Sequence, residues 1–192
     1  VVYNFRLKAT DANSNISFRD FSITVVGPSF TTLTASANYV VPTGTSAVDV
    51  LVVAGGGGSR GYPGLRGADP AVHGNNGGGG AGGLIFVPGF TVTPGATMPV
   101  TVGGGGEFTT GQDSVFGTLT AKGGGVGKQG FYIIGYQPGT AGGSGSGGGQ
   151  SGRGLQGPAG IATQPTQPGQ SGAYGFGNNG GSAGGGGGGA GT

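Results

Sequence analysis

Residues 48–61, VDVLVVAGGGGSRG, run a hydrophobic strand into Gly56, Gly58 and Gly61, the G-x-G-x-x-G spacing of a dinucleotide-binding loop. That chemistry needs the glycines to turn a strand into a helix whose first N–H groups hold a pyrophosphate. Pro63, Gly64, Gly67 and Pro70 follow instead, and no helix propagates through them. Asp69 comes too early, and Glu107 too late, to be the acidic residue that takes the ribose hydroxyls about 20 positions on. Residues 123–129, GGGVGKQ, resemble a phosphate loop, but Lys122 stands where the first glycine is required and Gln129 where Ser or Thr would meet magnesium. Both spacings are accidents of glycine content, and no cofactor is expected.

Other chemistry is equally thin. His73 is the single histidine, cysteine is absent, and Asp11, Asp20, Asp49, Asp69, Glu107 and Asp113 form no near pair. Metal sites built on imidazole or thiolate, and two-carboxylate hydrolysis, are therefore not expected. Serines are plentiful, but no spacing singles one out as a nucleophile. The chain is read as not an enzyme.

The elements that would position any site divide sharply by composition. Of 54 glycines in 192 residues, all but Gly27 and Gly44 fall from residue 55 onward. Charged residues are only 7%, and ten Phe and six Tyr are retained, unlike a solvated disordered tail. A net charge of +2 from scattered basic residues gives no stripe for nucleic acid, and no apolar run is long enough for a membrane-spanning helix. Lacking an initiator Met and starting inside a strand pattern, the sequence reads as a piece of a longer polypeptide.

Residues 1–27 read as two strands. Tyr3, Phe5, Leu7 and Ala9 alternate with polar residues, and ISFRDFSITVV (16–26) changes phase, which predicts a bulge near Arg19-Asp20. Two strands alone are not stable in water. The spacing Tyr3-x-Phe5-x-x-x-Ala9-x-Asp11 resembles the penultimate strand of an immunoglobulin-like or cadherin-like sandwich, which implies that the pair is that fold's last hairpin.

Residues 28–192 form a second domain, with β segments within 30–121 and polyglycine-type runs within 55–192. Strands are predicted at 30–35, 39–41, 48–53, 84–93, 97–102 and 114–121, with no α-helix anywhere. The fold class is thus all-β and irregular: a small β platform leading into packed polyglycine II-type helices. Such an extended left-handed helix has three residues per turn and no internal hydrogen bonds, so its N–H and C=O groups pair with neighbouring helices. A side chain at every third position keeps neighbours away on one edge, and unbroken glycine lets them approach on all. Run 184–189 is accordingly expected to be among the most enclosed, and GSGSGGG (143–149) to be a boundary helix showing Ser to water. Collagen is excluded, because each G-x-y stretch (61–69, 154–160) ends within three triplets.

The ordered motifs VVPTG (40–44), VDVLVVAGGGG (48–58), GGGGAGG (77–83), VTPGATMPVTVGGGG (92–106) and GQDSVFGTLTAKGGG (111–125) resemble the glycine-rich domain of bacteriophage tail fibres and related tip adhesins. The resemblance is close over about 36–127. It implies a β platform followed by a sandwich of polyglycine-type helices, with variable loops clustered at one end where host receptors bind. It also implies a virion or extracellular location. Implied partners are a host glycan or outer-membrane protein and other fibre or baseplate proteins, with a homo-oligomer also envisaged. Neither nucleic acid nor membrane insertion is among them. A passive spacer fibre and a secreted bacterial surface protein are the alternatives.

A binder should display aromatic and long polar side chains between its glycine runs. Those connectors carry Arg60, Tyr62, Leu65, Arg66 and His73; Lys128, Phe131, Tyr132, Ile133, Ile134 and Tyr136; and Gln164, Gln167, Tyr174 and Phe176. Residues 59–73 and 128–138 are the principal candidate contacts, and 161–176 the lesser one.

Overall fold

The computed structural model describes residues 1–25, 27, 29–59, 75–130, 135–164 and 176–190. The chain separates into two compact units, Val1–Thr32 and Leu33–Thr192. Among the described residues there is no α-helix, and the fold is all-β with small sheets.

The first unit is an antiparallel hairpin of β1 (Val2–Thr10) and β2 (Ile16–Thr24). Asp11 organises its turn: Oδ1 accepts the N–H groups of Asn13 and Asn15 at 2.9 and 2.8 Å, and the side-chain amide of Asn15 donates to Oδ2. The bonds from Asn15, with that from Asn13, hold the Asp11 carboxyl below its ordinary value. The expected bulge is absent, since the register runs without interruption from Val2↔Thr24 to Thr10↔Ile16. The phase change in β2 instead puts apolar groups on both faces. Phe21 and Ile23 lie opposite Phe5 and Tyr3 on one face, whereas Phe18 and Ile16 lie opposite Lys8 and Thr10 on the other. Phe5 stacks on Phe21 at 5.4 Å, and the Arg6 and Arg19 guanidiniums sit over Phe18 and Phe21.

The second unit begins with a platform of two sheets. One contains β3 (Ala37–Val40), β6 (Thr97–Thr101), β7 (Ser114–Phe116) and β8 (Leu119–Ala121) in the order β3-β6-β7-β8; the other pairs β4 (Ala47–Val53) with β5 (Leu84–Thr91). Alternation decides which side chains enter the core. Val50, Val52 and Ala54 point in and meet Ile85, Val87, Phe116, Leu119 and Ala121, while Leu51 and Val53 point out. Tyr39 and Phe90 pack on Phe116 with ring centroids 6.0 and 5.7 Å away. Asp49 falls at a break in the β4–β5 register, and its Oδ1 accepts the Gly89 N–H at 2.8 Å.

Two predicted strands are corrected. Residues 30–35 form none: the backbone is irregular until β3 begins at Ala37, and Phe30 is exposed. The predicted strand 114–121 is a hairpin, turned at Gly117 with φ +56°.

Beyond the platform, Val53, Gly83, Val102 and Ala121 mark where strand and glycine run meet, and the runs assemble into a slab. One layer consists of 103–106, 54–58, 77–83 and 184–189, joined edge to edge by Gly106 N–H to Gly56 O, Gly57 N–H to Gly80 O, and Gly78 N–H to Gly185 O. Beneath it lie 109–112, 122–127, 142–150 and 177–181, joined by Gly111 to Gly124, Gly143 to Gly123 and Gly145 to Asn178. A third, shorter layer holds 137–140 and 157–163.

The bonding has a period of three. In run 77–83, Gly77, Gly80 and Gly83 donate to Lys128, Gly125 and Lys122, whereas Gly78 and Ala81 donate to Gly185 and Gly188. Donors three apart aim the same way, as three residues per turn require. Apart from Gly184, no glycine of these runs has positive φ, so what selects glycine here is close approach. A Cβ on Gly147 would overlap the carbonyl of Gly185, and one on Gly145 that of Gly160.

Run 142–150 is the centre of the slab. Each of its N–H groups is bonded, to partners on 161, 123, 81, 178, 140, 78, 181, 137 and 75 in turn. This corrects two expectations. Residues 143–149 are all buried, with Ser144 and Ser146 at 0% exposure, and run 184–189 is only partly so. Hydroxyls fit because they stay inside the lattice: Ser144 Oγ donates to Gly189 O, and Ser146 Oγ accepts the Thr140 N–H at 2.7 Å. Gly186 is exposed, and among the described residues a Cβ there would meet nothing within 4 Å.

Candidate functional site

The slab has two ends of different chemistry. At the sheet end, strands feed the runs, and a polar clasp fixes the junction. Asp113 takes the Lys122 ammonium on Oδ2 at 2.7 Å and the Gly123 N–H on Oδ1 at 2.9 Å. Burial pushes its carboxyl up, but Lys122 and the Gly123 N–H pull it further down, so it stays ionised below its ordinary value. The Gln164 amide acts as a substitute peptide group: Oε1 accepts the Lys122 N–H and Nε2 donates to Thr120 O.

At the opposite end the runs turn back through loops. Shared bonds put the turn points together. The Gly77 N–H meets Lys128 O, the Gln150 N–H meets Asn75 O, and the Ala183 N–H meets Gly157 O; a Cβ on Gly58 would overlap Glu107 O. Side-chain amides brace this end, with Asn75 Nδ2 donating to Gln150 Oε1 at 2.8 Å and Asn76 Oδ1 accepting the Gly130 N–H at 3.3 Å. Loop 151–156 closes on itself through Ser151 N–H to Leu155 O and Leu155 N–H to Ser151 Oγ, with Gly154 at φ +77°. It leaves Arg153 and Leu155 exposed. Tyr136, next to Gly135 at φ +89°, is 50% exposed, and Phe108 is exposed in the loop after 103–106.

Of the candidate contacts, Lys128 (half-buried) and Tyr136 belong to this loop end. Phe176 belongs to the sheet end, where its carbonyl accepts the Leu84 N–H at 3.2 Å, so the described ends of 161–176 lie apart from the other connectors. Arg60, Tyr62, Leu65, Arg66, His73, Phe131, Tyr132, Ile133, Ile134, Gln167 and Tyr174 lie outside the described residues. Phe108, Arg153 and Leu155 were missed. Their signal is present in GEFTTG and SGRGLQG, large side chains set between glycine runs, although Leu155 also falls in the G-x-y stretch 154–160.

The two decoy loops are absorbed into the lattice. The N–H groups of Gly55, Gly57 and Gly58 go to Gln112, Gly80 and Thr109, and those of Gly123, Gly124 and Gly125 to Asp113, Gly55 and Ser144. None of these is left for a phosphate; the Gly56 N–H alone of residues 55–58 bonds no described residue. Among the described residues, no group of His, Cys, Asp or Glu is placed to hold a metal, and no helix is long and apolar enough to cross a membrane.

A β platform feeding a main-chain-bonded glycine slab, with loops at its far end, defines the class as an all-β, glycine-rich domain. The family model for the glycine-rich domain matches residues 31–192, and the chain belongs to that family. Searches of curated proteins and of solved structures each found no match.

Proposed function

We propose that this chain is a virion fibre module, of a tail fibre or tip adhesin, that attaches to the host cell surface through side chains at the loop end of its slab. The observation that carries the reading is the separation of ends: the sheets and their core occupy one, and Tyr136, Arg153, Leu155 and Phe108 are displayed at the other. Glycine runs expose almost no chemistry, so they hold a site without discriminating between ligands. Discrimination falls to aromatic and guanidinium groups, which recognition surfaces favour. The receptor class is a surface glycan or outer-membrane protein, and the setting is the virion or extracellular space. The β1–β2 hairpin, on this reading, is the last hairpin of an immunoglobulin-like domain that joins the module to other fibre or baseplate proteins.

The test is binding of the labelled chain to a panel of bacterial cells. Tyr136→Ser with Leu155→Ser should weaken adsorption about tenfold or more while leaving the melting temperature unchanged. Loss of stability together with binding would make these residues structural. Unchanged binding by a folded variant would put the passive spacer reading ahead.

A further inference from the structure

The two broad faces of the slab end differently. On the third layer, Pro138 and Pro158 have no N–H to leave unpaired, and the Thr140 hydroxyl donates to Val126 O. Among the described residues, nothing covers the first layer. Among the described residues, Gly56, Gly79, Gly105 and Gly187 donate no N–H bond, and the carbonyls of Gly57, Gly79, Gly105 and Gly187 accept none, although Gly57 O and Gly79 O lie against Gly79 and Gly187 of the neighbouring runs. The period of three gives these groups one direction. In run 77–83 one row of donors serves 122–127 and a second serves 184–189; the third row, through Gly79, points away from the slab.

A second, independent observation concerns glycine where this chain leaves room for more. Among the described residues, a Cβ on Gly186 would meet nothing within 4 Å, one on Gly105 only Gly56 O at 3.5 Å, and one on Gly56 only Gly80 O at 3.7 Å. None of the three has positive φ. Packing among the described residues therefore does not account for glycine at these three positions, whereas it does at Gly57, Gly79 and Gly187 of the same runs.

We infer that the open face, runs 103–106, 54–58, 77–80 and 184–189, is an assembly surface that receives the same face of a second copy and continues the lattice across the contact. Only a backbone without Cβ can come close enough to use these donors and acceptors, and each copy brings such a face. Donors and acceptors alternate on it, so it is complementary to itself under a two-fold axis. Direction is no obstacle: run 142–150 pairs antiparallel with 77–83 (Ser144 to Ala81, Gly147 to Gly78) and parallel with 177–181 (Gly145 to Asn178, Gly148 to Gly181).

The test is sedimentation of the full chain over a range of concentrations, beside the double variant Gly56→Lys/Gly105→Lys and a hairpin variant, Phe5→Ser/Ile23→Ser. The expected result is a dimer for the wild type and the hairpin variant, with dimerisation about tenfold or more weaker in the lysine variant at an unchanged melting temperature. Amide exchange on the wild type gives a readout that needs no substitution: Gly56, Gly79 and Gly105 should become protected as concentration rises. A chain that stays monomeric, a lysine variant that dimerises like the wild type, loss of the dimer in the hairpin variant alone, or fast exchange of those amides in the dimer would each overturn the proposal.

Discussion

The platform and the slab are both buried structures, and they are buried for opposite reasons. In the platform, Ile85 and Leu119 are enclosed because apolar side chains from two sheets interdigitate, and the backbone is held at a distance by what it carries. In the slab, 143–149 are enclosed because almost nothing is carried, and carbonyls of neighbouring runs occupy the space where Cβ atoms would be. Side-chain volume is the asset of the first region and the main threat to the second. The platform should tolerate changes of shape better than the slab tolerates any added atom.

Substitutions can break or sharpen that contrast. The largest effect is expected for Gly147→Val, because backbone surrounds the site and cannot move aside as a side chain would; a loss of about 4 kcal/mol or more is expected in chemical denaturation. Ile85→Ala, the opposite change in the opposite region, should cost about 2–5 kcal/mol by leaving a cavity. If Gly147→Val proved the milder of the two, the slab would be looser than its bonding implies.

Ser146→Ala should cost about 1–3 kcal/mol, since it removes the acceptor of the buried Thr140 N–H while hardly changing volume. At the junction, the depressed Asp113 carboxyl stabilises the folded state above the ordinary carboxylate range and ceases to do so as pH falls through its folded value. Thermal melts taken downward from about pH 4 should show a shallower decline for Asp113→Asn than for the wild type. The pair is exposed enough that the difference should stay below about 1 kcal/mol. The smallest effect is expected for Gly186→Val, within about 0.5 kcal/mol of wild type in the monomer; a large loss there would mean that the run is enclosed after all.

Period-two alternation made the platform legible, because Val50, Val52 and Ala54 must face one way once a core exists. The bonding period of three was legible too, as the only way for glycine runs without internal bonds to satisfy their amides. Which run lies in the middle was not. Run 184–189 has no side chains and still lies at the border of its layer, whereas 142–150 contains two serines and is surrounded. Position depends on how many neighbours a run acquires, a property of the whole arrangement, and a hydroxyl that bonds within the lattice is no bar. The loop end was half legible: Tyr136 stood out as aromatic, but Leu155 was hidden by spacing that mimics collagen, and Arg153 stands alone between two glycines. Asp113 gave no sign of its role, because its partner Lys122 is opposite it only once the β7–β8 hairpin has turned at Gly117.

The bonding period also constrains how such a slab can change length. Inserting one residue into run 77–83 would rotate every donor beyond it by a third of a turn, away from 122–127 and toward partners that do not exist there. Inserting three would restore all directions and add one turn, about 9 Å. Runs should therefore lengthen or shorten only in whole turns, and in concert with their neighbours. Loops such as 151–156 obey no such arithmetic, so length variation is cheap at one end of this molecule and quantised everywhere else in the slab.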